Sequence, residues 1–252
     1  MTNSSIGDVK VQAILQARCG STRLPGKIFK SIGDKSALGW VVARLKASRM
    51  VDRIVIATTT GKEDDRVEKY ACHEGISIFR GSRDDVLGRF IETLKKFPAF
   101  AIVRATGDNP LLDVGALDHM IAEHLKNKAD HTTVSGAVPI GSAAEIVSCA
   151  ALRIAWENAT QKPYREHVTP YIYENRGRFR VIDVKPPDYL DGRNYRFTLD
   201  TGEDLRLLIS VYKRLAEEKK PFDAKEATRL ADVDPGIMEI NRDVEMKTWS
   251  EE

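Results

Sequence analysis

The sequence has few cysteines, no long apolar run and almost no excess of charge of either sign. Its three cysteines, Cys19, Cys72 and Cys149, are widely spaced and odd in number. That pattern builds neither a disulfide framework nor a zinc site, and it points to the reducing cytoplasm. No apolar run approaches the roughly 20 residues that a membrane-spanning helix needs. The opening MTNSSIGDVK is polar and lacks the apolar core of a signal peptide. A formal net charge of +2 gives no basic excess for nucleic-acid binding. The 252 residues suit one large α/β domain, or one domain with an appended lobe. No internal repeat, low-complexity segment or clear linker divides them.

What is present is the stretch from Val11 to Lys27, VQAILQARCGSTRLPGK. Val11, Ala13, Ile14 and Leu15 read as a short buried strand. The chain then turns polar through Gln16, Ala17, Arg18, Cys19, Gly20, Ser21, Thr22 and Arg23. Small residues let backbone N–H groups approach phosphate oxygens, and Arg18, Arg23 and Lys27 supply positive charge. Pro25-Gly26 forces a turn that returns Lys27 toward the loop mouth. The alternative is a solvated basic loop; three cations in the ten-residue span Arg18 to Lys27, just after a strand end, favour the phosphate reading. The loop is neither a Walker A sequence nor a Gly-x-Gly-x-x-Gly turn. Cys19 reads as a small filler residue rather than a reactive thiol.

Further along, apolar spacing predicts a helix from Ser36 to Ser48, with Ser36 as N-cap. A buried strand follows over Asp52 to Thr58, then a helix from Glu63 to Glu74. Ile76 to Phe79 reads as a strand, Asp84 to Phe97 as a helix, and Phe100 to Ala105 as a strand. Such alternation predicts a mostly parallel sheet with helices on both faces. Ligands bind at the carboxyl ends of strands in such sheets, so the turns after Leu15, Ile56, Phe79 and Val103 should share one edge.

The turn after Val103 holds Asp108 in a Gly-Asp-x-Pro setting, which suits a hard cation such as magnesium. One aspartate in a proline turn is commonly structural, so a second, converging one is required. Asp113 reads as the N-cap of a helix over Val114 to Lys126. Tyr195 to Leu199 reads as a strand, followed by Asp200 and a helix capped by Thr201, Glu203 and Asp204.

The string ILQARCGSTRLPGK strongly resembles the signature of the sugar-acid cytidylyltransferases. These include CMP-acylneuraminate and CMP-Kdo synthetases and, above all, their relatives of the spore-coat polysaccharide biosynthesis protein F type. The resemblance runs in matching order from about Val11 to about Leu215. It implies an α/β, Rossmann-like nucleotidyltransferase fold with a small acceptor and dimerisation lobe. Residues 11–130 would form the CTP-binding half, 131–195 the acceptor lobe, and 196–252 a metal-binding strand and C-terminal helices.

By that resemblance the loop wraps the triphosphate of CTP, with Gln16, Ala17, Gly20, Ser21 and Thr22 along it and Arg18, Arg23 and Lys27 as phosphate-binding cations. Thr58, Thr106 and Gly107 are further nucleotide-side candidates. Ser82 and Arg83 join them through a Gly-Ser-x-Asp-Asp-Val-Leu-x-Arg string, in which Gly88 replaces the usual Asp. Asp108 and Asp200 become the magnesium ligands, and Gly202 stands where the relatives carry Pro. Gly141 and Glu145 match an acceptor-side Gly-x-x-x-Glu segment. Arg165 and His167 lie in a shared Glu-His-Val-Thr region assigned to acceptor binding.

The implied reaction joins CMP from CTP to a nonulosonate or ulosonate sugar acid and releases pyrophosphate, with Arg18, Lys27, Asp108 and Asp200 at the reaction centre. The expected partners are CTP, Mg2+ and the acceptor, in a cytoplasmic homodimer with no nucleic acid and no membrane. A phosphorylated or phosphonate acceptor is the nearest alternative. A GT-A glycosyltransferase and a non-catalytic nucleotide-binding relative are the others. The loop argues against the former, and the intact aspartates and cations against the latter.

Overall fold

The computed structural model describes residues 9–245. The first strand, β1 (Val11–Gln16), is buried on both faces, as a central parallel strand must be. After it come a hairpin of β2 (Ser31–Ile32) and β3 (Lys35–Ser36), then α1 (Ala37–Ala47). Ser36 caps α1 by accepting the Gly39 N–H at 3.1 Å. β4 (Arg53–Thr59), α2 (Asp65–His73), β5 (Ser77–Gly81), α3 (Val86–Lys96) and β6 (Ala101–Thr106) continue the alternation. Next are α4 (Val114–Asn127), β7 (His131–Val134), β8 (Glu145–Ser148), α5 (Cys149–Asn158), α6 (Lys162–His167), α7 (Pro170–Glu174) and β9 (Val181–Val184). The described chain closes with α8 (Gly202–Glu217) and α9 (Ala224–Val233).

The strands β5-β4-β1-β6-β8-β7-β9 form one seven-stranded sheet. Only β8 runs against the others. The carboxyl ends of β5, β4, β1 and β6 therefore meet along one edge, as expected. One face is covered by α1, α2 and α4 through Leu38, Val41, Val67 and Leu117. The other is covered by α3 and α5 through Phe90, Leu94 and Leu152. A third core joins Phe197 and Leu199 to α8 and α9 through Leu207, Leu208 and Leu230. Among the described residues no helix is long and apolar enough to cross a membrane.

Tyr195 to Leu199 departs from expectation. The segment is extended and its apolar side chains are buried, but it is not a strand of the sheet. It runs along the loops at the carboxyl edge, making a single parallel bridge between Arg196 and Ile140. The Leu199 N–H then donates to the Asp108 carbonyl at 2.8 Å. Its Phe197 and Leu199 N–H groups donate to loop carbonyls, and that choice brings Asp200 to the end of β6.

Asp200 is steadied from behind. Asp204 is fully buried and accepts from the backbone N–H of Asp200 at 2.9 Å and of Thr201 at 3.0 Å. It also takes Arg196 Nε at 3.0 Å and Asn241 Nδ2 at 2.9 Å. The Asp204 N–H donates in turn to the Thr201 hydroxyl, completing a capping box on α8.

Candidate active site

β1 ends at Gln16, and the Gly107 N–H donates to its carbonyl at 2.9 Å, tying the β1 and β6 turns together. The loop that follows folds back on itself, with the Ser21 and Gly26 N–H groups donating to the Cys19 carbonyl at 2.9 and 3.1 Å. Gly26 adopts φ 65°, a left-handed conformation that suits glycine, and the short 3-10 turn Lys27–Phe29 starts there. Lys27 is thereby returned to the loop mouth.

A fully buried carboxylate, Asp64, fixes the base of the loop. It accepts the Cys19 N–H at 2.6 Å and the Thr59 hydroxyl at 2.5 Å. Burial opposes its charge, yet these donors hold its carboxyl below the usual range. Burial and Asp64 push the Cys19 thiol up to about 11, so it is not a ready nucleophile.

The loops enclose a cavity of about 300 Å³. Gln16, Ala17, Arg18, Gly20, Ser21, Thr22, Arg23, Lys27, Ile28, Arg83, Thr106, Gly107, Asp108 and Asp200 line it. Four cations thus face two carboxylates, leaving a net positive field suited to a phosphate chain. Lys27 Nζ lies 2.5 Å from Asp108 Oδ2 and 2.7 Å from Asp200 Oδ1. Arg196 and Arg23 flank the other Asp200 oxygen at 2.6 and 3.3 Å. Burial works against both charges. Even so, the two aspartates hold the Lys27 ammonium above its ordinary pKa, and Lys27, Arg23 and Arg196 hold Asp200 below the carboxylate range.

The carboxylates meet at one nitrogen, so they can share one cation. Among the described residues no group of three or more His, Cys, Asp or Glu gathers for a metal. A divalent ion held here would take two carboxylates from the protein and complete its shell from phosphate and water. Magnesium favours that donor set.

Two nucleotide-side candidates lie outside the cavity. Thr58 is fully buried within β4. Ser82 accepts the Asp85 N–H at 3.0 Å, and its carbonyl takes the buried Arg89 guanidinium. Burial, with Arg18 nearby, lowers that Arg89 group to about 10.

The acceptor-side candidates separate. Glu145 lines a second cavity of about 130 Å³ that shares Thr106 with the first. Gly141, at φ 89°, makes the turn beside it, where a Cβ would stand 2.9 Å from the Thr198 nitrogen. Arg165 and His167, on α6, line neither cavity. The Arg165 guanidinium is held by Asp85 and by the Trp156 carbonyl at 2.9 Å. The cation at the second cavity is Arg104, which donates to Glu145 at 2.7 Å. Sequence reasoning passed over it, although one arginine in the buried strand AIVRAT was the visible signal. Asp64 and Arg196 were also missed.

A cytidylyltransferase family profile matches residues 12–229. The chain belongs to the cytidylyltransferase family. It is a CTP-dependent nucleotidyltransferase. This cytidylyltransferase is 36% identical to the spore coat polysaccharide biosynthesis protein SpsF of Bacillus subtilis, over 88% of this chain and 94% of SpsF. It superposes on the structure of a cytidylyltransferase from Leptospira borgpetersenii with a TM-score of 0.83 and 32% identity, over 95% of this chain and 100% of the other. A CMP:2-keto-3-deoxy-manno-octonic acid synthetase complexed with CTP shares the fold at a TM-score of 0.63 and 18% identity, over 83% and 99% of the two chains.

The second cavity has a pH signature. Burial opposes the Glu145 charge, but Arg104 and His131 hold its carboxyl down at about 2, against an ordinary 4.5. A depressed carboxyl stabilises the fold fully above its unfolded value and loses that contribution as pH falls. Wild-type stability, read as the urea midpoint, should therefore fall between pH 4.5 and about 2. Glu145→Gln should flatten the profile in that window; an unchanged slope contradicts the pairing.

Proposed function

We propose that this cytidylyltransferase transfers CMP from CTP to a hydroxyl of a nonulosonate or ulosonate sugar acid, with magnesium. The observation that carries the reading is the cationic cavity with Lys27 between Asp108 and Asp200, joined at Thr106 to a smaller polar cavity. The names of the relatives, a spore coat polysaccharide protein and a CMP-sugar-acid synthetase, support a sugar-acid acceptor.

In this reading the acceptor oxygen forms a bond to the α-phosphorus and the bond to the β-phosphate bridging oxygen breaks. The hydroxyl proton passes to solvent and pyrophosphate leaves. Arg18, Arg23 and Lys27 face the phosphate chain and stabilise charge on the leaving group, and Arg83 adds to the same field. Ser21, Thr22 and the Gly20 backbone position the chain, so catalysis comes mainly from orientation and neutralisation. A divalent cation held by Asp108 and Asp200 would screen the phosphates and acidify the acceptor hydroxyl. We assign the acceptor carboxylate to Arg104 in place of Arg165, because Arg104 lines the adjoining cavity, where it is paired with Glu145, and Arg165 lines neither cavity. The reading takes residues 11–130 as the nucleotide half and 131–195 as the acceptor side. From the family resemblance, it takes the enzyme as a cytoplasmic homodimer.

Pyrophosphate release is the test, with magnesium, each of the four nucleoside triphosphates and a panel of sugar acids. Release with CTP and one sugar acid is expected; release with phosphorylated acceptors alone would overturn the acceptor class. Arg104→Gln removes one charge-assisted hydrogen-bond donor. It should raise KM for the acceptor roughly ten- to a hundredfold while leaving KM for CTP within about twofold. A parallel rise in both constants contradicts the Arg104 assignment.

A further inference from the structure

Lys27 occupies an unusual place for a phosphate-binding residue. Its ammonium bridges the two carboxylates proposed to hold the metal, and the side chain is only 14% exposed. Asp200 has no idle oxygen, since its other one carries Arg196 and Arg23. A divalent cation bridging the pair would compete with the Lys27 ammonium, which already holds Asp108 Oδ2 and Asp200 Oδ1.

A free metal ion arriving alone must evict Lys27. The ammonium would then lose both carboxylate partners and stay in a cavity that also holds Arg18, Arg23 and Arg83. Among the described residues no carboxylate other than Asp108 and Asp200 lines that cavity. Eviction therefore trades two charge-assisted hydrogen bonds for like-charge repulsion. A triphosphate reverses the balance. Its oxygens give Lys27 a new anionic partner within the same cavity, and the two carboxylates come free.

We propose that the Lys27 ammonium keeps the carboxylate pair closed to free divalent cations and surrenders it when a nucleoside triphosphate enters. In the nucleotide-free enzyme the ammonium also holds Asp108 and Asp200 together, where two uncompensated carboxylates would splay apart. Nucleotide and metal then bind with positive coupling that exceeds what chelation by the free nucleotide supplies. By linkage, whatever one ligand does to the affinity of the other is returned in equal measure.

The proposal rests on the metal assignment above and not on the identity of the acceptor. Its test is binding of Mn2+ to the nucleotide-free protein, followed by loss of the free-ion electron paramagnetic resonance signal. Wild type, Lys27→Met and Arg83→Met are compared. The last removes a cavity cation that has no ion pair with the two aspartates. Wild type should bind Mn2+ weakly and Lys27→Met roughly ten- to a hundredfold more tightly, the range expected for losing a charge-assisted competitor. Arg83→Met should differ from wild type by less than about threefold. Equal tightening in both variants would trace the effect to net charge alone and overturn the proposal. Equal binding by wild type and Lys27→Met overturns it too, with the metal assignment intact. No Mn2+ binding by any form overturns the proposal together with that assignment. Circular dichroism checks each fold, and Lys27→Gln, which keeps a polar head without the charge, replaces Lys27→Met if that variant does not fold.

Discussion

One ammonium group between two carboxylates is the contact on which this site depends. Lys27 lies 81 residues from Asp108 and 173 from Asp200. Two carboxylates in one partly dry place repel unless a cation stands between them. The sheet supplies the convergence. β1 and β6 are parallel neighbours, so the Lys27 loop and the Asp108 turn leave the same edge. Asp200 reaches that edge by a route outside the sheet, through the bond from the Leu199 N–H to the Asp108 carbonyl.

Around this contact sits a layer of buried hydrogen bonds. Asp64 anchors the loop base from below, through backbone and hydroxyl donors. Asp204 anchors the Asp200 turn from behind, through two backbone N–H groups, Arg196 and Asn241. Both are fully buried carboxylates whose charge is met by several donors, the condition under which burying charge is tolerable. Arg18, Arg23, Lys27 and Arg83 line the cavity that these anchored turns enclose. Hydrogen-bonded turns beneath a cationic cavity suit transfer chemistry, where orientation of the phosphate chain accounts for much of the rate.

Much of this was legible in the sequence, because local rules govern it. The caps at Ser36, Asp113 and Thr201, the buried strand at Val11 to Leu15 and the turn at Pro25-Gly26 follow from short-range chemistry. The loop cations could be named from the loop's own composition and both aspartates from the family resemblance, and they line one cavity. What escaped depends on distant partners. Tyr195 to Leu199 has the apolar spacing of a strand, but its partners Ile140 and Asp108 sit in loops far away in sequence. Arg165 stands in a polar sequence cluster, yet Asp85, 80 residues away, takes its guanidinium. Asp64 resembled an ordinary acid at a helix start, and nothing local shows that its side chain turns inward to Cys19. Arg104 was hidden by its strand, since periodicity describes a strand's faces and not which cavity one face meets.

The central claim is that three segments far apart in sequence form one nucleotide seat. Backbone amide hydrogen exchange with and without CTP tests it directly. Protection should rise in the Gly20–Lys27 loop, at Thr106–Asp108 and at Asp200–Asp204 together, with little change along α5 and α6. Protection confined to one of these segments, or centred on α6, would contradict the account.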